Sequence, residues 1–128
     1  IDTNVLVSSL ISKNSNSPTV RIIDLIPDGL ICPIYNDFLL FEYDEILHRK
    51  KFHLEEQTIF KITDLIINFG LKILPKKYYG EMIDEDDRIF LETFYAVENS
   101  YLVTGNLKHF PKLPFIVSPA EMMKIIEK

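Results

Sequence analysis

Short, continuous apolar runs alternate along the chain with longer stretches in which apolar residues recur every three or four positions. The short runs predict strands that are covered on both faces, and the longer stretches predict amphipathic helices. The predicted strands are Ile1, as the end of a first strand, and residues 30–34, 71–74, 101–103 and 115–117. Strands that alternate with helices are typical of βαβ units, so we expect an α/β fold with a mostly parallel sheet.

Helices are predicted at residues 18–26, 37–51, 55–68 and 84–99, and in a last segment that follows Ser118. Ser17 and Asn36 stand where the N-caps of two of these helices are expected. Ser118 and Glu121 have the spacing of a capping box. Gly70 follows the third helix, at the place where a glycine in the left-handed conformation commonly ends a helix.

The length of 128 residues suits one compact domain over residues 1–128, and the apolar content of 47% is ordinary for a globular protein. No apolar run approaches the roughly 20 residues that cross a bilayer, and the first residues do not have the pattern of a signal peptide. We therefore expect a cytoplasmic protein, with further residues of the first strand before Ile1. The single cysteine, Cys32, lies in an apolar run and is predicted to be buried.

Four polar motifs lie far apart in the sequence, each where a strand ends or a helix begins. They are Ile1-Asp2-Thr3-Asn4, Phe41-Glu42-Tyr43, Asp84-Glu85-Asp86-Asp87 and Val103-Thr104-Gly105-Asn106. In an α/β fold such positions converge on one edge of the sheet. Carboxylates gathered there repel one another, and hard divalent ions prefer oxygen ligands. The motifs therefore predict a site for Mg²⁺ or Mn²⁺.

The net charge of −5 argues against a non-specific nucleic-acid binder, because such proteins usually have a basic face. A metal site weakens this argument, since a bound cation cancels much of the field of the carboxylates around it. The net charge of −5 therefore does not exclude a nucleic acid as substrate.

Glu42 lies on the side of its predicted helix that also carries Leu39 and Ile46. A carboxylate beside an apolar face is costly unless it is paired or bound to a metal, which favours a ligand role. The alternative is a half-exposed Glu42 that pairs with Arg49. Glu45 and Arg49 have the spacing of a solvated ion pair on a helix.

Asp87 heads the apolar stripe of the fourth predicted helix. The acids just before it are explained by the helix dipole, which favours negative charge in a first turn. That explanation fits Asp87 least well, because Asp87 faces the core side. Asp86 is predicted to support the first ion or to bind a second one.

The remaining motifs also have structural interpretations. Asp2 and Asn4 could cap a helix, and Thr104 and Asn106 could form a plain turn. In the functional interpretation, Asn4 and Thr104 support the site by orienting a neighbouring acid or a ligand.

The basic run Arg49-Lys50-Lys51 could bind the phosphates of a substrate, although cations are also favoured at a helix C-terminus. Residues 76–79 combine lysine with tyrosine, which can stack on bases, but a solvated loop is the simpler interpretation. His109 is near Asn106 and could contact a substrate, but a structural histidine is more common, and no catalytic role is assigned to it.

With these residues in view, the chain resembles PIN domains over essentially its whole length, and most closely the branch classed as toxins of toxin–antitoxin pairs. No single motif is specific, but their order and spacing together are. The shared motifs are Ile1-Asp2-Thr3-Asn4-Val5-Leu6-Val7, Glu42-Tyr43 with Glu45-Ile46-Leu47, Asp84-Glu85-Asp86-Asp87 with Phe90-Leu91, and Leu102-Val103-Thr104-Gly105-Asn106.

The resemblance implies a three-layer α/β sandwich, with a short, mostly parallel central sheet flanked by helices, and a ribonuclease that depends on Mg²⁺ or Mn²⁺. It implies that Asp2, Glu42 and Asp87 are the catalytic, metal-binding acids. Thr104 and Asn106 match the fourth motif, where the family often has an aspartate at the position of Asn106. The amide oxygen of Asn106 can still bind a metal but brings no charge. The resemblance also implies an antitoxin protein as partner, and a homodimer is possible.

Two other classes remain open. A phosphoryl-transfer α/β protein would also place Asp2 at the end of its first strand. A haloacid-dehalogenase-like phosphatase would need a second aspartate at the place of Asn4, and a receiver domain would need one at the end of a middle strand. A module that binds RNA or protein through a degenerate site is favoured by Asn106 and by the acidic net charge.

Overall fold

The computed structural model describes residues 1–128 and surrounds two pairs of short parallel strands with six helices. The helices are α1 (Thr3–Ile11), α2 (Pro18–Asp24), α3 (Asp37–Leu47), α4 (Glu56–Phe69), α5 (Arg88–Tyr95) and α6 (Pro119–Ile126). The strands are β1 (Ile34–Tyr35), β2 (Leu71–Lys72), β3 (Leu102–Val103) and β4 (Ile116–Val117). Short 3₁₀ helices span Lys50–Phe52, Glu85–Asp87 and Leu107–His109. The predicted α/β class with helices on the sheet is therefore confirmed.

The predicted parallel pairing is confirmed, but the sheet is in two parts. Strand β1 pairs with β2, and β3 pairs with β4, both in parallel. Every strand is shorter than its apolar run predicts, and Ile1 is not in a strand. The chain at Asp2 nevertheless lies beside β3, because its backbone N–H donates to the carbonyl of Val103 at 2.9 Å.

Helix α1 is the one α-helix that the hydrophobic pattern does not predict. Its apolar residues Val5, Leu6 and Val7 are consecutive and all buried. Val5 belongs to one core cluster, whereas Leu6 and Val7 belong to the other. A helix buried on more than one side has no single apolar stripe, and valine favours strands, so periodicity could not identify it.

Helix α3 ends at Leu47, four residues before the predicted end. Arg49 is extended, and Lys50–Phe52 form a separate 3₁₀ helix. The basic run therefore lies in a turn beyond α3, so the dipole of that helix does not explain it. The predicted ion pair between Glu45 and Arg49 is absent, as is one between Glu42 and Arg49.

The predictions for Gly70 and Cys32 are wrong. Gly70 has an extended backbone with φ of −97°, and a Cβ there would collide with the carbonyl oxygens of Ile66 and Pro33. The glycine is required for this close approach rather than for a left-handed turn. Cys32 is exposed, because the first part of its apolar run precedes β1 and lies at the surface.

The capping box of Ser118 and Glu121 is confirmed at the start of α6. Ser17 also stands at the N-cap position of α2, as predicted, but its side chain makes no capping hydrogen bond. The predicted helix over residues 84–99 is a 3₁₀ helix followed by α5, which ends at Tyr95. No helix combines the length and apolar character needed to span a membrane; the longest, α4, has 14 residues.

Asn36 caps α3 and links it to the rest of the core. Its Oδ1 accepts from the backbone of Leu39 at 2.9 Å, which confirms the predicted cap. Its Nδ2 donates to the hydroxyl of Thr93 at 2.9 Å and to the carbonyl of Ile73 at 3.3 Å. The side chain is buried, so α3 has a fixed start relative to α5.

Replacing Asn36 with alanine is expected to lower the free energy of unfolding by about 2–3 kcal/mol, because it removes a cap and leaves buried groups unpaired. Urea denaturation would measure this loss. Ser17→Ala is the matched control, because Ser17 is an N-cap residue without a capping bond, and it should cost under about 1 kcal/mol. Equal losses in the two variants would contradict the role assigned to Asn36.

Candidate metal centre

One pocket of about 440 Å³ brings most of the predicted site residues together. Its wall contains the predicted residues Asp2, Asn4, Glu42, Arg49, Lys51, Asp86, Asp87 and Asn106, and also Thr3, Asp84 and His109. Two predicted residues, Thr104 and Lys50, lie outside the wall. The Thr104 hydroxyl donates a hydrogen bond to Asp2, and Lys50 is on the same turn as Arg49 and Lys51. The motifs that are far apart in sequence thus meet around one cavity.

Asp2 is almost completely buried at the start of α1, with an exposed fraction of 4%. It stands at the N-cap position but makes no capping hydrogen bond with its side chain. Its Oδ2 instead accepts from the Thr104 hydroxyl at 2.7 Å and from the Asn4 amide at 3.2 Å. Burial raises the pKa of Asp2, and the bond from Thr104 partly offsets this rise.

Thr104 and Asn4 tie the end of β3 to the start of α1. The Thr104 hydroxyl donates to Asp2 and accepts from the backbone N–H of Asn106 at 2.9 Å. The Asn4 amide oxygen accepts from the backbone N–H of Gly105 at 3.1 Å. These bonds hold the Asp2 carboxylate in one orientation, and Asn106 remains exposed at the pocket.

Glu42 lies half-buried on the face of α3 that meets the pocket. The next residue, Tyr43, is buried, and its hydroxyl donates to the carbonyl of Ile1, which fixes α3 against the chain at Asp2. Burial raises the pKa of Glu42, and the nearby charges of Asp86, Glu45 and Asp87 raise it further. The Arg49 guanidinium opposes this rise without forming an ion pair.

Asp87 lies at the centre of the acidic cluster, on the turn that leads into α5. Its side chain is 14% exposed, and its Oδ2 is 2.8 Å from Nδ1 of His109. Burial raises the pKa of Asp87, and the hydrogen bond from His109 lowers it. The charges of Asp2 and Asp84 also raise it. Asp87 thus interacts with Asp2 and Asp84, whereas Glu42 interacts most strongly with Asp86.

Replacing Asp2 with asparagine should make the metal-free protein progressively more stable than wild type as pH rises. Because the pKa of Asp2 is raised on folding, wild type loses stability as pH rises from about 3.8 through the folded-state pKa. Asparagine cannot ionise and avoids that loss. Urea denaturation in a chelator, on both sides of this window, would measure the difference in free energy of unfolding.

Asp28→Asn provides the matched control, since Asp28 is exposed and lies outside the pocket. It removes the same negative charge from an exposed position, and so controls for the change in net charge alone. A constant difference between Asp2→Asn and wild type across the window would contradict the prediction.

The residues present fit a divalent cation. Three acids with raised pKa values share one pocket, which is unfavourable for the protein without a counter-charge. The hydroxyl of Thr3, in the same wall, is buried and has no hydrogen-bond partner. Carboxylate, hydroxyl and amide oxygens are the donors that hard divalent ions prefer. The donor set and the unpaired hydroxyl are both suited to a bound ion.

Asp84 and His109 also line the pocket, although the sequence does not predict them as ligands. Potential ligand atoms of Asp84, Asp87 and His109 lie within 4.8 Å of one another, a closer group than the predicted set forms. The helix dipole offered a sufficient explanation for Asp84, and His109 carried no local pattern. Its position three residues after Asn106 was the only available indication.

A family model described as PIN domain matches residues 1–108. Searches of curated proteins and of solved structures find no match. PIN domains are in general nucleases that use divalent metal ions and act on nucleic acid. Because the match covers most of the sequence, including all the motifs around the pocket, the chain belongs to the PIN domain family.

Proposed function

We propose that this chain, as one domain over residues 1–128, is a metal-dependent endoribonuclease and the toxin of a toxin–antitoxin pair. One observation carries the proposal: Asp2, Glu42 and Asp87 come from distant segments and line the same pocket. The raised pKa values of all three acids support a cation there. An enzyme that cleaves RNA in this way would act in the cytoplasm.

In this proposal Asp2, Glu42 and Asp87 hold Mg²⁺ or Mn²⁺, with the amide of Asn106 as a further ligand. Such an ion lowers the pKa of a bound water and neutralises charge on the scissile phosphate. Asp86 is close enough to Glu42 to raise its pKa, and it brings a further negative charge that the ion would balance.

The surrounding residues hold these acids in position. The bonds from Thr104 and Asn4 keep the carboxylate of Asp2 oriented, so little reorganisation is needed when a cation binds. The Tyr43 hydroxyl keeps α3, and with it Glu42, against the chain at Asp2. Burial raises the pKa of Tyr43 well above its usual value, so this hydroxyl stays a donor at neutral pH.

The RNA backbone would approach over the basic turn at one side of the pocket. Arg49 and Lys51 are exposed and line the pocket, and Lys50 lies between them in sequence. These cations provide positive charge beside a cavity that is otherwise acidic. They would bind phosphates next to the cleaved bond.

Replacing Arg49 or Lys51 with alanine is expected to weaken RNA binding more than it slows cleavage of bound RNA. Each variant should raise KM and leave kcat nearly unchanged. The slope of log K against log salt should become shallower by about 0.7 for each phosphate of a single strand that the variant no longer neutralises. Lys124→Ala, on α6, is the control of equal charge outside the pocket, and an equal effect from it would contradict a local role.

The proposed function is tested by incubating single-stranded RNA with the protein in Mg²⁺, in Mn²⁺ and in chelator. We expect cleavage that depends on the ion, and little cleavage of DNA of the same sequence. Cleavage that persists in chelator would contradict metal dependence, and equal cleavage of DNA would contradict RNA specificity.

The residue at position 4 argues against the phosphatase alternative. A haloacid-dehalogenase-like phosphatase would need a second aspartate there. Asn4 instead donates to Oδ2 of Asp2 at 3.2 Å and accepts from the backbone N–H of Gly105 at 3.1 Å, so it is part of the support of Asp2. Incubation with a labelled phosphoryl donor should leave no label on the protein.

Exposed aromatic side chains on α3, the helix that carries Glu42, support an antitoxin as the protein partner. Phe38 and Phe41 are on α3, with exposed fractions of 64% and 69%, and Phe41 is adjacent to Glu42 in sequence. A small protein that covers these rings could also block the pocket. A second copy of the chain is the alternative occupant, and it would give a homodimer.

A further inference from the structure

His109 is the only histidine in the wall of the acidic pocket. It ends the 3₁₀ helix that follows Asn106, and its side chain is 35% exposed. Its Nδ1 is 2.8 Å from Oδ2 of Asp87. The other two histidines, His48 and His53, do not line this pocket. An imidazole thus directly contacts the central carboxylate of the cluster.

The spacing of these groups is suited to a shared ion. Ligand atoms of Asp84, Asp87 and His109 all lie within 4.8 Å of one another. Two ligands that bind one ion at right angles, with bonds of about 2.1 Å, are about 3 Å apart. The contact between His109 and Asp87 has nearly this length.

A second observation at the same pocket is independent of the acids. Thr3 is 2% exposed, and its hydroxyl has no hydrogen-bond partner within the protein. A buried hydroxyl without a partner costs free energy unless a ligand or water satisfies it. The wall of the pocket therefore contains a buried hydroxyl that no other protein atom satisfies.

We propose that His109 binds the divalent ion directly through an imidazole nitrogen, beside Asp84 and Asp87, and thereby makes the site prefer Mn²⁺ to Mg²⁺. This inference rests on the proposed metal-dependent function. Imidazole is a good ligand for transition-metal ions, whereas Mg²⁺ prefers an all-oxygen environment. A mixed set of one nitrogen and several carboxylate oxygens is suited to Mn²⁺.

The competing role for His109 is that of a positioning residue. A hydrogen bond to Asp87 would then orient the carboxylate without any bond between the ring and the ion. Both roles predict lower activity for His109→Ala, so activity cannot distinguish them. A signal from nitrogen bound to the ion can do so.

The test is pulsed electron paramagnetic resonance of Mn²⁺ added to the full chain, which detects coupling to nitrogen nuclei of a bound imidazole. We expect this coupling in wild type and in His48→Ala, and its loss in His109→Ala. His48 is a suitable control because it pairs with Glu56 at 2.6 Å, outside the pocket. Circular dichroism and thermal melting would establish that each variant is folded.

Calorimetric titration with each ion supplies the second measurement. His109→Ala should bind Mn²⁺ more than about 100-fold more weakly than wild type, beyond the loss that an outer partner alone would give, whereas its affinity for Mg²⁺ should change little. Wild type that binds Mn²⁺ without nitrogen coupling would overturn the inference and leave the metal-dependent function intact. Wild type that binds neither ion would overturn both.

Discussion

Replacing Asp87 with asparagine is expected to abolish RNA cleavage while the metal-free protein keeps its fold. Asp87 lies among the charges of Asp2, Asp84 and Glu42, and a bound cation would offset their mutual repulsion. Loss of an outer partner of a metal site typically costs 10- to 100-fold, so loss of this central acid should cost more than about 100-fold. Cleavage of labelled RNA in Mg²⁺ or Mn²⁺ measures the change.

The stability of the Asp87→Asn variant shows whether a loss of cleavage comes from the missing carboxylate or from unfolding. Because burial and neighbouring acids raise the pKa of Asp87, its ionised form is unfavourable in the folded protein at neutral pH. Asparagine removes that charge, so the free energy of unfolding in chelator should stay constant or rise. Asp28→Asn carries the same change in net charge outside the pocket and should cleave like wild type. An Asp87→Asn protein that still cleaves at the rate of wild type would exclude Asp87 from the site.

Mn²⁺ should stabilise the wild-type protein and should not stabilise Asp87→Asn. An ion that binds only the folded state adds about 2.7 kcal/mol to the free energy of unfolding at 100 times its dissociation constant. Relief of the repulsion among Asp2, Glu42 and Asp87 is one source of that affinity, and the dissociation constant already contains it. Thermal melting over a series of Mn²⁺ concentrations, with reversal by chelator, measures the effect.

The same melting experiment tests the alternative that the chain only binds RNA or protein, through a degenerate site that holds no metal. Asn106 replaces an acid that the family often has, and its amide brings no charge to the pocket. If that replacement had removed metal binding, Mn²⁺ would leave the melting temperature of wild type unchanged. RNA binding without cleavage would then be the function to pursue.

Helices with one buried face were predictable from the sequence. Helix α3 has a periodic apolar face and an N-cap at Asn36, and both are local features. Helix α1 was missed because Val5 packs into one core cluster and Leu6 into the other, which removes the periodic pattern. Cys32 and Gly70 were misjudged for a related reason, since exposure and close backbone approach depend on distant segments.

Within the candidate site, the acids were easier to identify than their partners. Glu42 and Asp87 were singled out because a carboxylate beside an apolar face is costly, and each residue carries that information in its own helix. His109 had no such local indication. Its relevance comes from the 2.8 Å contact with Asp87, which is 22 residues away in sequence.

The sequence by itself determined the α/β class, the caps of α3 and α6, and the acids to suspect, because each depends on residue type and short-range spacing. Only the tertiary structure decided that Thr104 holds Asp2 across 102 residues, that the basic run lies beside the pocket, and that an imidazole joins the carboxylates. Such contacts depend on how packed elements bring distant side chains within about 3 Å, and no local pattern records that geometry.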